Sequence, residues 1–247
     1  MARLFVQRAG QGPRVVLLHG GVLAGALCWS QQLPLADRFA LEIVDRAGYG
    51  RSQQVSPGED LDADAPLVAG LLPQAAHLVG HSSGAVAAML AAALRPDAVL
   101  SLTLCEPPAF QLAPGSAAAQ QMARDLGEHL DRTGDDAQWL RGFLAIVGRD
   151  VVIPGQLPPP LAQGVRAIRA VRRRPWEGEL PVGQLAATSF PKLVISGDHS
   201  PAFEAVCDAL AARLRAQRAH VAGAGHATPE TGDIFNETLQ AFICTAR

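Results

Sequence analysis

Six short apolar runs, most of them closed by glycine or proline, constrain the fold more than any other feature of the chain. Uninterrupted apolar runs of this length predict strands that are buried on both faces, as in a parallel sheet. Helical stretches lie between several of them, and the alternation predicts βαβ units in an α/β fold with a mostly parallel, doubly wound sheet flanked by helices. The runs are RVVLLHGG (14 to 21), FALEIVDRAGYG (39 to 50), AAHLVGHSSG (75 to 84), AVLSLTLCEPP (98 to 108), PKLVISGD (191 to 198) and QRAHVAGAGH (217 to 226).

The interval from residue 109 to residue 190 departs from this alternation of strands and helices. It contains no convincing buried strand, and its helical stretches AAAQQMARDLGEHLDRTG and AQWLRGFLAIVG are followed by the proline-rich segment PGQLPPP. An insertion of this kind between two core strands would fold most naturally as a helical cap over one edge of the sheet. We therefore predict a core formed by residues 1–108 and 191–247, with a cap formed by residues 109–190.

Composition limits the classes of binding partner and the cellular compartment that we expect for this protein. The 247 residues are 49% hydrophobic and 18% charged with a net charge of -2, which offers no broad attraction to nucleic acid and favours a small-molecule partner. The four cysteines form no C-x-x-C pair, so the pattern indicates neither a metal knuckle nor a disulfide framework. No run has the character of a signal peptide or the length of a membrane span, so we expect a cytoplasmic protein with no membrane partner. The oligomeric state is not readable from these features.

The motif G-x-S-x-G occurs once in a context that gives it chemical meaning. Gly80, Ser82 and Gly84 lie between an apolar strand and an alanine-rich helix. Small residues on both sides of Ser82 allow the strand and the helix to approach closely, so that the hydroxyl projects at the helix N-terminus, where backbone N–H groups can bind an anion. The pattern predicts that Ser82 is a nucleophile.

Four segments together resemble the α/β-hydrolase superfamily over nearly the full length of the chain. LLHGG followed by Trp29 is similar to the family's oxyanion loop, and VDRAGYGRS is similar to its D-x-x-G-x-G-x-S turn. GHSSG resembles the nucleophile elbow, and GAGHATPE resembles the C-terminal histidine loop. The resemblance implies the α/β-hydrolase fold, with the helical cap inserted after strand six.

The same resemblance implies roles for particular residues. Ser82 would be the nucleophile and His226 the general base, later the general acid. The N–H of Ser83, together with that of Gly21 or Val22, would bind the oxyanion. A serine at position 82 does not favour haloalkane dehalogenase or epoxide hydrolase activity, since those enzymes use aspartate there.

The acid of the triad is less plainly marked. In most of the superfamily it follows strand seven, but SGDHSP places Ser200 at that position, and serine carries no charge that could stabilise an imidazolium. Some families take the acid from the end of strand six, where this chain has Glu106. Since a buried carboxylate needs a partner, we favour Glu106 as the partner of His226. Asp198 is the alternative acid if the turn is remodelled. The possibility that neither residue is the acid of the triad also stays open.

The predicted function is that of a cofactor-independent, metal-independent serine hydrolase that acts through an acyl-enzyme on a small ester, thioester, lactone or amide. The residues that determine substrate specificity should lie in the cap. The candidate pocket residues there are Trp139, Phe143, Leu144 and Trp176. Two alternatives remain. The same triad could catalyse C–C bond hydrolysis, acyl transfer or perhydrolysis, or the chain could be a non-catalytic ligand-binding protein on a hydrolase fold.

Overall fold

A computed structural model describes residues 3–246, and its centre is a seven-stranded sheet with the order β1-β3-β2-β4-β5-β6-β7. The strands are β1 (Phe5–Ala9), β2 (Arg14–Leu18), β3 (Ala40–Asp45), β4 (Ala76–His81), β5 (Val99–Cys105), β6 (Lys192–Ser196) and β7 (Gln217–His220). Strands β2 to β7 pair in parallel with their neighbours, whereas β1 pairs antiparallel with β3 at one edge. The predicted mostly parallel sheet is confirmed, and each of the six apolar runs contains one parallel strand.

Nine α-helices accompany the sheet within residues 3–246. They are α1 (Gly25–Cys28), α2 (Leu61–Ala69), α3 (Ser83–Leu94), α4 (Ala117–Leu130), α5 (Asp136–Ile146), α6 (Pro159–Arg169), α7 (Val182–Ala186), α8 (Pro201–Leu214) and α9 (Asp233–Thr245). In that part of the chain none of them combines the length and the apolar character that crossing a bilayer requires.

The sheet buries both of its faces, which is why its strands are apolar at consecutive positions. In β2, Val16 and Leu18 belong to the core cluster on the side of α2, α3 and α8. Val15 and Leu17 belong to a second cluster on the opposite side, with side chains from α1 and α9. Because successive side chains of a strand point to opposite faces, a strand covered on both sides must be apolar throughout.

Strand β5 ends directly before Glu106 and is therefore the strand that the sequence analysis counted as strand six in the family's numbering. Helices α4 to α7 all lie between β5 and β6 in the sequence, although these two strands are neighbours in the sheet. Helix α4 contacts α5 and the core helix α8, α5 contacts α6, and α7 contacts α3 and α8. The segment is helical, as predicted, while the domain boundaries at residues 109 and 190 stay a prediction.

Candidate functional site

A cavity of about 370 Å³ opens at the carboxyl ends of the parallel strands, where ligands commonly bind in open α/β sheets. Its wall is mostly apolar, and Ser82 and His226 line it together with residues from α4, α5 and α6. The cavity therefore joins the nucleophile predicted from the sequence to the helices between β5 and β6. A cavity of this size can enclose a small organic molecule.

Ser82 occupies a strained turn between β4 and α3. Its φ of 52° and ψ of -127° lie outside the regions that L-residues usually adopt, and its N–H donates to the carbonyl of Cys105 at 2.8 Å. The turn brings helix and strand so close that a Cβ at Gly84 would overlap the carbonyl oxygen of Leu18. These contacts hold the Ser82 side chain at the start of α3, facing the cavity.

A chain of hydrogen bonds leads from Ser82 to a buried carboxylate. The Nε2 atom of His226 lies 3.1 Å from the Ser82 Oγ, and its Nδ1 atom lies 3.2 Å from the Oε2 of Glu106. The other carboxylate oxygen, Oε1, accepts the N–H of Gly197 at 2.7 Å. The three side chains come from the segments that follow β4, β5 and β7, so the parallel sheet brings them to one edge.

Asp198 and Ser200 do not take part in the chain of hydrogen bonds from Ser82 to Glu106. The Asp198 side chain is exposed, and the N–H of Asp198 donates to Glu204 at 3.1 Å. Ser200 precedes α8 without a capping side-chain bond. Among the hydrogen bonds of residues 3–246, the Nδ1 of His226 is paired with Glu106 and not with Asp198.

Burial sets the electrostatics of the Glu106 and His226 pair. Loss of water around Glu106 raises the pKa of its carboxyl to about 7, although the Gly197 N–H and the nearby ring of His199 oppose that change. Burial lowers the pKa of His226 to about 3, and the charges of His199 and Arg149 act in the same direction. His226 is therefore neutral at physiological pH, which is the state that a general base requires.

The three residues expected to bind an oxyanion line the cavity beside Ser82. Ser83 is the first residue of α3, where backbone N–H groups have no partner within the helix. Gly21 and Val22 form a tight loop in which Val22 has a φ of 71° and the N–H of Leu23 donates to the Gly21 carbonyl at 2.9 Å. A Cβ at Gly20 would lie 2.8 Å from the Cβ of Ser82, so this loop runs directly beside Ser82.

A buried network of ion pairs and hydrogen bonds centred on Arg46 supports the loops around Ser82. The guanidinium of Arg46 donates to Glu59 at 2.7 Å, to Asp64 at 3.0 Å and to the Ser83 hydroxyl at 2.8 Å. The N–H of Arg46 also donates to the Nε2 of His19 at 2.9 Å. The network ties the D-x-x-G-x-G-x-S turn to the LLHGG loop and to the start of α3.

His81, next to Ser82, contacts the loop that contains His226. Its Nε2 lies 2.8 Å from the backbone carbonyl of His226, so the ring donates a proton there. Burial lowers the pKa of His81 to about 3. The ring is therefore a neutral packing group that fixes the backbone of His226.

Three of the four predicted pocket residues line the cavity: Phe143, Leu144 and Trp176. Trp139 is a correction, because it lies outside the lining and is buried behind it. Its indole N–H donates to the carbonyl of His129 at 3.0 Å, and its ring stacks on Phe143 at 5.4 Å between centroids. Trp139 supports the wall and does not form its surface.

The sequence did not identify three polar residues near the site. Arg149, which follows α5, forms an ion pair of 2.7 Å with Glu230 in the histidine loop, and both line the cavity. The ring of His199 lies 3.9 Å from Glu106. Glu230 is the last residue of the GAGHATPE segment, although its pairing with Arg149 was not predicted, and no motif marks Arg149 or His199. Only the missing acid at Ser200 drew attention to the turn that contains His199.

Two groups of side chains within residues 3–246 have ligand atoms close enough to hold a metal ion. Glu106, His199 and His226 form one, and Asp198, Glu204 and His220 form the other. The first group includes the partners of Ser82, and the second is largely exposed and contains the ion pairs of Glu204.

Comparison with known proteins connects this geometry to a family. Residues 15–238 match a model described as the alpha/beta hydrolase family. A pimeloyl-[acyl-carrier protein] methyl ester esterase of Aeromonas hydrophila is 35% identical over 190 residues, which cover 74% of this chain and 67% of that protein. The enzyme of the same name from Methylococcus capsulatus is 42% identical over 114 residues, or 45% of this chain and 44% of that protein. The match thus spans less than half of the Methylococcus relative.

A solved structure extends the likeness over the whole chain. A thermophilic esterase from Thermogutta terrifontis superposes with a TM-score of 0.69 over 98% of this chain and 93% of that one, at 23% sequence identity. Similarity at this level of identity concerns the fold.

Proposed function

Since the chain belongs to the alpha/beta hydrolase family, we propose that it is a serine hydrolase that cleaves a small carboxylic ester through an acyl-enzyme. The observation that carries the proposal is the chain of hydrogen bonds from Ser82 through His226 to Glu106 at the edge of an apolar cavity. Relatives named as methyl ester esterases favour an ester over a thioester, lactone or amide. The proposal includes residues 109–190 as the cap that selects the substrate.

The proposed reaction has two halves. In the first, His226 accepts the proton of Ser82 as its oxygen attacks the ester carbonyl, and the N–H groups of Ser83 and of Gly21 or Val22 stabilise the oxyanion. His226 then returns the proton to the departing alcohol, which leaves an acyl group on Ser82. In the second half, water activated by His226 attacks that acyl group, and the acid and free Ser82 are released.

Glu106 is proposed as the acid of this triad. Its carboxylate holds the Nδ1–H of His226, so that Nε2 is free to accept a proton, and it stabilises the positive charge that forms on the ring. The exposed side chain of Asp198 gives less support to the alternative acid.

The test is the rate of labelling by a fluorophosphonate, followed by intact mass. Wild type should gain one label, Ser82→Ala none, and Glu106→Gln should react at least about a hundredfold more slowly. Asp198→Asn is the matched control and should react as wild type does. Slow reaction of Asp198→Asn alone would move the acid to that residue, and no labelling of wild type would refute the proposed function.

Hydrolysis of a short p-nitrophenyl ester would then show whether labelling reflects turnover. Release of nitrophenol in a single burst without steady turnover would contradict hydrolysis and favour acyl transfer, since the acyl-enzyme would form without reacting with water.

A further inference from the structure

The mostly apolar wall of the cavity contains one arginine. Among residues 3–246, Arg149 is the only arginine or lysine that lines the cavity, and it forms an ion pair of 2.7 Å with Glu230, which also lines it. The third charged residue of the wall, Glu59, is bound to Arg46 at 2.7 Å in the buried network. A guanidinium is costly to place against an apolar wall, so its presence there calls for a binding role.

The backbone fixes both members of this pair beside the loop that contains His226. The N–H of Arg149 donates to the carbonyl of Leu144 at the end of α5, at 2.8 Å. Glu230 lies four residues after His226, and its N–H donates to the carbonyl of Ala227 at 2.9 Å. A molecule in the cavity can therefore contact the guanidinium and the proposed base at the same time.

The ion pair uses only part of the hydrogen-bonding capacity of Arg149. A guanidinium has five N–H donors in a planar fork. Within the described part of the chain, the Arg149 side chain donates from Nη2 to the Oε2 of Glu230, and no hydrogen bond from its Nε or Nη1 is present. A carboxylate is the group that best fits two parallel N–H donors of a guanidinium.

Glu230 is the more exposed member of the pair. Its side chain is 40% exposed, whereas that of Arg149 is 19% exposed. An ion pair with this much contact with water contributes little to the stability of a fold, so stability alone does not account for it. The exposed carboxylate of Glu230 can also turn toward water at little cost while Arg149 binds another carboxylate.

We propose that Arg149 is a specificity-determining residue that binds a carboxylate of the ester substrate, in competition with Glu230. The proposal rests on the proposed function, in which Ser82 and His226 cleave an ester in the same cavity. It narrows the substrate class to esters that carry a free carboxylate, such as a monoester of a dicarboxylic acid. The methylene chain between the two ends would lie along the apolar wall.

The first test compares methyl esters that differ only in charge. Each monomethyl ester of a dicarboxylic acid is paired with its ω-amide over a series of chain lengths, and the ratio of their kcat/KM values is measured at neutral pH. Arg149→Gln should lower this ratio at least about tenfold, because the charge-assisted hydrogen bonds to the substrate are lost. Glu230→Gln should raise it about threefold, because no protein carboxylate then competes for the guanidinium.

These opposite responses distinguish recognition from a structural role. A pair that only joined α5 to the loop of His226 would give the same result for both substitutions, with both esters slowed equally and the ratio unchanged, and this would overturn the proposal. Arg174→Gln is the matched control, because it removes the same charge from an arginine that pairs with Asp131 at 2.8 Å and does not line the cavity. It should keep the wild-type ratio, and an equal fall in this variant would also overturn the proposal.

A second series places the carboxylate on the alcohol part of the ester. Acetyl esters of ω-hydroxy acids are compared with the corresponding amides in wild type and Arg149→Gln. A tenfold effect in either series supports the proposal and identifies the half of the ester that the guanidinium contacts. An effect in neither series overturns it.

Binding without turnover separates this proposal from the proposed function. Calorimetry with Ser82→Ala should show binding of the preferred carboxylate ester, and the double variant with Arg149→Gln should bind it at least about tenfold more weakly. Equal binding by the two proteins would overturn the role of Arg149 even where wild type hydrolyses the ester. Wild type that hydrolyses neither charged nor uncharged esters would instead refute the proposed function.

Discussion

Ser82, Val22 and Glu106 each have a positive φ, at 52°, 71° and 50°, although none of them is glycine. Positive φ is uncommon for such residues, and it persists only where the surrounding structure enforces it. All three lie at the edge of the sheet that carries the chain of hydrogen bonds. Asp198 and Arg215 also have a positive φ, of 53° each, so backbone strain is present at the residues to which we assign chemistry but is not confined to them.

The pH dependence follows from the carboxyl group more than from the imidazole. An acid whose pKa is raised to about 7 becomes protonated as the pH falls through neutrality, and a neutral Glu106 cannot stabilise the imidazolium. His226, with a pKa lowered to about 3, stays neutral in the same range. We expect kcat/KM for a p-nitrophenyl ester to fall below about pH 7 in a titration from about pH 5 to pH 9.

Glu106→Gln serves as the control for this titration. Its activity should be low and nearly independent of pH around neutrality, because the group that titrates there is gone. A variant that kept the same fall near pH 7 would show that another group causes it.

Cysteine reactivity offers a test that is independent of the triad. Cys28, Cys105 and Cys207 are buried, and burial raises the pKa of Cys28 to about 12 and those of the other two well above their usual value. Iodoacetamide at neutral pH should therefore modify only exposed Cys244 in the native protein and leave activity unchanged. Intact mass and peptide mapping will report this, with all four modified in urea as the control. Modification of native Cys28, which lines the cavity, would contradict the packing described here.

At the scale of elements, α6 fits closely against the loop of Gly21 and Val22, which we propose binds the oxyanion. A Cβ at Gly164 would overlap the carbonyl oxygen of Val22, and a Cβ at Gly21 would lie 2.7 Å from the Cδ1 of Ile168, one turn further along the helix. The helix from the segment between β5 and β6 thus defines where the loop can lie.

Gly164→Ala should therefore impair catalysis more than stability. The added methyl group must displace α6 or the loop, and loss of one oxyanion donor typically costs about a hundredfold or more in kcat. Steady-state kinetics together with thermal unfolding will separate the two effects. Gly183→Ala in α7, where a Cβ meets nothing within 4 Å, is the control and should keep wild-type kcat. Wild-type kcat in Gly164→Ala would show that the loop tolerates the displacement.

Elements differed in how well the sequence predicted them. The apolar runs identified β2 to β7 because burial on both faces leaves an uninterrupted signal. Helix α2 (Leu61–Ala69) gave no such signal, since Pro66 stands inside it and its first turn carries Asp62 and Asp64. The pairing direction of β1 depends on its contact with β3, which a single alternating segment does not specify.

The candidate site was predictable to the extent that motifs marked it. Ser82 stands in a turn whose glycines are required by close packing, and His226 follows the last strand. Trp139 could not be separated from Phe143 by sequence, because both are apolar members of α5 and only the three-dimensional contacts distinguish the wall from its support. The position of His199 near the site was not predicted, because its ring lies 3.9 Å from Glu106, a residue far away in the sequence.

At the scale of the whole molecule, the cavity lies between the sheet and the helices that follow β5. Its wall is largely apolar, so the acyl part of an ester should gain binding energy from each methylene group it buries. We expect kcat/KM for p-nitrophenyl esters to rise about fourfold per added methylene, from about 0.8 kcal/mol each, until the cavity is full.

Phe143→Ala tests the same wall. The enlarged cavity should shift the optimum toward longer acyl chains, while acetate ester turnover changes little. Val152→Ala, at a largely exposed position, is the control and should keep the wild-type optimum. An unchanged optimum in Phe143→Ala would place the acyl group elsewhere.

The partners of the proposed triad are far apart along the chain, since His226 lies 144 positions after Ser82 and 120 positions after Glu106. During synthesis from the N-terminus, the nucleophile and its carboxylate leave the ribosome long before the histidine does. A nascent or truncated chain would hold Ser82 without a base to activate it. Ester turnover would therefore report that the last strand has joined the sheet, and unfinished chains would be chemically inert toward the cell's esters.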